Sequence, residues 1–142
     1  MYLWDTNILR HFGEGHPTLQ LYLERISWSD IALPSVVVAE VLRGWCDFAL
    51  KATPAQAPAA HRLLLDTQQL LSRFNVAVFD EKCIMVMEEL QHRHKAHKRY
   101  ADMMIAAIAK AGNHILVTRN QKHFLEFLPK SQLANWIDNR PL

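Results

Sequence analysis

Three acids stand where a protein most easily arranges chemistry. Asp5 ends the strand-forming run Met1-Tyr2-Leu3-Trp4 and is followed by Thr6-Asn7, where a helical pattern begins near Ile8. Glu40 lies about one turn into the helical run after Ile31-Ala32-Leu33-Pro34-Ser35, off the stripe made by Val37, Val41 and Trp45. Asp102 falls at the start of a small-residue helix, Tyr100 to Ala111. A carboxylate at the end of a strand points at the sheet edge where ligands collect in open α/β sheets, and it also suits the N-cap of the next helix. Both roles are open to Asp5. Glu40 and Asp102 have ordinary readings too, as a surface acid and as a first-turn acid favoured by the helix dipole.

Jointly the three residues say more. Right-handed crossovers carry strand-to-helix junctions to one edge of a parallel sheet, so acids distant in sequence converge there. Clustered carboxylates repel one another unless a cation lies between them. Hard oxygen donors suit Mg²⁺ or Mn²⁺, which keep several waters and complete their shell with phosphate oxygens. The chemistry such a cluster supports is metal-assisted hydrolysis of a phosphodiester.

The elements that must position these acids follow from hydrophobic period and turn chemistry. Strands are expected at the N-terminus, at Ile31-Ala32-Leu33, at Val76-Ala77-Val78-Phe79 and at Ile115-Leu116-Val117-Thr118, with an edge strand near Leu133 to Trp136. Helices are expected from Asn7 to Phe12, Thr18 to Ile26, Val36 to about Leu50 with Ser35 as N-cap, Ala59 to Arg73, Glu81 to His94, and Tyr100 to Ala111. The fifth of these carries an apolar stripe at Ile84, Met87 and Leu90. Gly112 and Asn113 stop the last one. Alternating strands and helices predict an α/β fold, with a central, mostly parallel sheet of four to five strands and helices on both faces. Thr53 to Pro58 is the clearest break, too short to separate domains, so residues 1–142 are expected to form a single domain.

Composition narrows the class. Of the 142 residues half are hydrophobic and 21% charged, which fits an ordinary globular chain and excludes global disorder. No secretory signal or membrane-length apolar run is visible, so a cytoplasmic protein without membrane contact is expected. Cys46 and Cys83 match no metal spacing and read as small buried thiols. The net charge of +2 is mild, but four fixed cations and three histidines crowd into His92 to Arg99, just before Asp102. That run reads equally as a solvated face or as a phosphate-contacting surface through Arg93, Lys95, Lys98 and Arg99. A transition-metal site from His92, His94 and His97 is disfavoured, because these positions share no helical face.

Four pieces, in order, resemble the PIN-domain ribonucleases, particularly the VapC-type toxins of type II toxin–antitoxin systems. They are Leu3-Trp4-Asp5-Thr6-Asn7, Ser35-Val36-Val37-Val38-Ala39-Glu40-Val41-Leu42-Arg43-Gly44, Ala101-Asp102-Met103-Met104-Ile105-Ala106-Ala107-Ile108-Ala109 and Ile115-Leu116-Val117-Thr118-Arg119-Asn120-Gln121-Lys122-His123-Phe124. The resemblance implies a PIN fold and a Mg²⁺- or Mn²⁺-dependent endoribonuclease that leaves a 5′-phosphate and a 3′-hydroxyl. It implies Asp5, Glu40 and Asp102 as metal-binding and catalytic acids. Many relatives carry a further acid where this chain has Asn120, which keeps a carbonyl oxygen but no charge, so one protein-held ion is favoured over two. Thr6 and Thr118 would supply hydroxyls that orient the carboxylates. Arg119 is a candidate phosphate contact or a counter-charge to the acids. Implied partners are RNA, a VapB-like antitoxin, a second copy in a homodimer, and DNA only through the antitoxin.

Two rival enzyme classes fail at their key positions. A haloacid-dehalogenase-type phosphatase needs an acid at position 7, which is Asn, and a P-loop or dinucleotide-binding fold needs glycines after the first strand. The alternative from another class is a catalytically weak or inactive PIN-like partner that acts by binding within a DNA-binding complex.

Overall fold

The computed structural model describes residues 1–94 and 99–142. Five strands, β1 (Tyr2–Trp4), β2 (Ile31–Pro34), β3 (Asn75–Ala77), β4 (Ile115–Val117) and β5 (Leu133–Ala134), form one sheet in the order β3-β2-β1-β4-β5. Every pairing is parallel, with Leu3 opposite Ala32 on one side and Leu116 on the other. Among the described residues six α-helices accompany them: α1 (Thr6–Gly13), α2 (Pro17–Leu23), α3 (Ser35–Lys51), α4 (Ala57–Leu71), α5 (Glu81–Arg93) and α6 (Tyr100–Ala111). The α/β fold with helices on both faces follows the expected alternation, and the sheet is parallel throughout.

The period-two alternation of strand side chains divides the core in two. Leu3, Ala32 and Leu116 face one side, where they pack with Cys83, Met87, Leu90, Phe124 and the α6 residues Met103 and Ile105 to Ala109. Trp4, Ile31, Leu33 and Val117 face the other, against Ile8, Leu19, Leu71, Phe74 and Trp136. Trp4 is the centre of that second layer, with the rings of Phe12, Trp28, Phe74 and Trp136 between 5.4 and 6.4 Å from its own. Fully buried alanines at 106, 107 and 109 let α6 lie close on the sheet.

Several local expectations change. Ser35 is the first residue of α3 rather than its cap, because its Oγ instead accepts the Phe79 N–H at 3.0 Å and ties α3 to the chain leaving β3. On α5 it is Cys83, not Ile84, that joins Met87 and Leu90 in the core, and Ile84 is exposed. A real helix advances 100° per residue, and i, i+4, i+7 from position 83 suits this core better than i, i+3, i+6 from position 84. Cys83 is buried as expected, but Cys46 is only half-buried on the outer reach of α3. At the end of α6 the left-handed residue is Asn113 (φ 51°), while a Cβ on Gly112 would displace the His114 ring. Among the described residues no helix is long and apolar enough to cross a membrane.

The strand order has one decisive consequence. From β1 the chain moves to β2 and β3 on one side, and β4 and β5 lie on the other, so the order reverses between β1 and β4. Loops leaving adjacent strands on opposite sides of that switch part from each other and open a crevice at the carboxyl ends. Those loops begin with Asp5 and Thr118.

Candidate metal and nucleic-acid site

Asp5 is buried and caps α1: its Oδ1 accepts the Thr6 N–H at 2.8 Å. Its Oδ2 accepts the Thr118 hydroxyl at 2.9 Å and the Asn7 amide at 3.1 Å. The two carboxylate oxygens offer about four lone-pair positions, and these bonds use three. The cap role and the ligand role are therefore compatible, as Oδ1 keeps one acceptor position.

Glu40 stands in the second turn of α3, and Asp102 in the first turn of α6. The Glu40 carboxyl is raised above its ordinary range, first by partial burial and then by the negative charges of Asp5 and Asp102. Glu40 thus lies within electrostatic reach of both Asp5 and Asp102, acids far from it in sequence. A half-buried Asp102 also has the Arg99 guanidinium 3.9 Å away. Among the described residues no three His, Cys, Asp or Glu side chains stand close enough to enclose an ion directly. Three carboxylates are a donor set that fits a hard divalent cation such as Mg²⁺ in type and charge.

Thr118 is completely buried, and Asn120 donates its backbone N–H to the Thr118 Oγ1 at 3.1 Å while starting a short 3-10 turn. The Asn120 side chain is exposed on that turn. Thr6 reaches Asp5 through its backbone, and its side chain lines an apolar recess shared with Glu40. The Arg119 guanidinium is paired in fork geometry with Asp138, by bonds of 3.1 and 3.2 Å. Asn135 also bonds Asp138, and both contacts hold the Asp138 carboxyl below the usual range, the Asn135 bond being the larger cause. Arg93 pairs with Glu89 at 2.8 Å, one helical turn back, and His94 lies 4.0 Å from Glu126. Lys95, His97 and Lys98 lie outside the described residues.

Sequence reasoning gave Asn7 no role, yet it bonds Asp5, Thr118 and the Arg119 backbone. An amide two residues after the candidate ligand was the available signal. The Asp138 clamp on Arg119 had none, since the pairing depends on where the chain travels after β5.

An open parallel sheet whose strand order reverses between β1 and β4 defines a class, the α/β domains that bind ligands in the crevice outside the carboxyl ends of their strands. Within that class the chain belongs to the PIN domain family, which it matches over residues 2–127. Solved structures agree. The chain is similar to VapBC2 from Rickettsia felis bound to a promoter DNA fragment, at 29% identity over 95% of this chain and 98% of that one, with a TM-score of 0.66. It also shares its fold with FitAcB from Neisseria gonorrhoeae, at 24% identity, coverage of 98% and 100%, and a TM-score of 0.73. The structure of FitAB bound to the IR36 DNA fragment gives 23% identity, 99% coverage of both chains and a TM-score of 0.74. Compared with the curated proteins, the sequence finds no match.

Proposed function

We propose that this chain is a Mg²⁺- or Mn²⁺-dependent endoribonuclease and the toxin of a VapBC-type toxin–antitoxin pair. The observation that carries the reading is the electrostatic coupling of Glu40 to both Asp5 and Asp102 at the switch point of a PIN domain. Asp5, Glu40 and Asp102 would hold the ion. When bound, it supplies a water of lowered pKa and stabilises charge on the phosphoryl oxygens.

The protein's own groups do the remainder. Thr118, buried and donating to Asp5 Oδ2, holds that carboxylate in orientation. Glu40, whose carboxyl is raised by burial and by Asp5 and Asp102, is the acid whose ionised form a cation held among the three would favour most. Arg99, Arg93 and the neighbouring Lys95 and Lys98 would offset the repulsion between the acids and an RNA backbone. Arg119 presents its guanidinium beside Asn120, where a substrate phosphate would compete with Asp138 for the same fork.

The partner half of the reading rests on the recess beside Glu40. A groove of about 680 Å³ is lined by Leu9, Val41, Trp45, Phe48, Leu63 and Leu70, and Phe48 and Leu63 remain 48% and 42% exposed. Its apolar floor, ending on Glu40, suits an amphipathic antitoxin segment that blocks the acids. DNA would be reached through that antitoxin, and the toxin would pair with a second copy of itself.

The test is cleavage of total cellular RNA by the purified chain freed of any partner. Cleavage with Mg²⁺ or Mn²⁺, its loss in EDTA, and a drop of at least about a hundredfold for Asp5→Asn are expected. Full activity in Asp5→Asn would remove Asp5 from the site. No cleavage with either metal would leave the non-catalytic binding reading, to which Asn120 in place of an acid already points.

A further inference from the structure

We propose that Asn7 is a positioning residue that acts through Asp5, fixing which lone pair of that carboxylate is left for a cation. The inference rests on the reading of the three acids as a metal site. Nδ2 of Asn7 has two hydrogens, directed at Asp5 Oδ2 at 3.1 Å and at Thr118 Oγ1 at 3.4 Å. Its Oδ1 accepts the Arg119 N–H at 3.2 Å. A flipped amide would set carbonyl oxygen against carboxylate oxygen and NH₂ against N–H, so these partners define its orientation.

The consequence passes to Thr118. Its Oγ1 already accepts from the Asn120 N–H at 3.1 Å, and the Asn7 amide fills the second lone pair. A hydroxyl has two acceptor positions and one hydrogen, so the hydrogen is left to point at Asp5 Oδ2. Oδ2 is then saturated by two donors, Oδ1 is half-occupied by the Thr6 N–H, and the rotation of the carboxyl is blocked. Asn7 thereby joins the first turn after β1 to the loop after β4, across the switch point of the sheet. An Asp at this position would oppose acceptor to acceptor, and a shorter side chain would lose the reach to Thr118.

The experiment uses the full chain freed of bound partner, with Mn²⁺ alone as the probe in titration calorimetry. Asn7→Ala is expected to weaken Mn²⁺ binding about tenfold with a cooperative melt retained, and to lower kcat for RNA with KM unchanged. Thr118→Val is expected to weaken Mn²⁺ similarly, and the double variant to lose less than the sum, since both act on one oxygen. Asn7→Gln, which keeps the amide but displaces it by a methylene, should bind as weakly as Asn7→Ala and guards against an alanine variant that does not fold. Wild-type affinity in Asn7→Ala or Asn7→Gln overturns the role of Asn7 and leaves the metal site standing. Additive losses overturn action through Asp5. A wild-type chain that binds no Mn²⁺ removes the metal reading and the role of Asn7 together.

Discussion

Glu40 carries the sharpest consequence of the acid cluster at the scale of single residues. Burial, and then Asp5 and Asp102, raise its carboxyl above the ordinary value of 4.5, so the folded chain binds that proton more tightly than the unfolded one. Folding stability therefore declines as pH rises from about 4.5 through the raised folded value. Near neutrality an ionised Glu40 works against the fold unless a cation offsets it. Glu40→Gln is expected to melt at or above the wild-type temperature in EDTA, and to gain less than wild type from added Mg²⁺. Thermal melts with and without the metal decide the matter. A Glu40→Gln melt well below wild type in EDTA would mean that Glu40 is a structural support and not a repelled member of a cluster.

At the scale of elements, α6 shows why the acids sit as they do. Ala106, Ala107 and Ala109 are fully buried, so the helix lies close on the sheet and brings Asp102 toward the crevice. Ala107→Leu would insert three carbons where nothing can recede, at a cost of about 1–3 kcal/mol typical of overpacked cores. Urea unfolding should report that loss, with a parallel fall in metal affinity as α6 lifts. An unchanged midpoint would show the α6 contact to be loose. The bounds of α6 were legible from sequence because Tyr100 to Ala111 combines strong helix formers with a clear stop. Ser35 and Ile84 were misread because a cap and a stripe are local patterns, whereas the Phe79 amide and the packing around Cys83 arrive from distant segments. The same limit applies to the site. Asp5, Glu40 and Asp102 could be named because acids at strand and helix junctions are conspicuous. The contacts of Asn7 with Thr118 and Arg119 span more than a hundred residues and leave no local trace.

At the scale of the whole molecule, the layer built on Trp4 is expected to make the protein sensitive to acid. His11 is buried at the end of α1, packs edge-on to His16 at 5.1 Å, and has no hydrogen-bond partner on either ring nitrogen among the described residues. Its Nδ1 lies 3.6 Å from the Glu14 carboxylate, too far for a bond. Burial lowers its pKa below 6.5, His16, Arg10 and Arg119 act in the same direction, and Glu14 opposes them. With the folded value depressed, the unfolded chain takes up the proton first as pH falls. The stability that neutral His11 contributes is present above about 6.5 and is lost as pH falls through the folded value. The loss falls on the junction of α1 and α2, which closes the layer around Trp4, Phe12 and Phe74. Melting temperature should therefore drop on acidification from neutral pH, and His11→Leu, close to His in volume and unable to take a proton, should flatten that slope. His114 is also lowered by burial and by the nearby N-terminal amine, so the slope should shrink without vanishing. A slope as steep in His11→Leu as in wild type would place the acid sensitivity elsewhere in the fold.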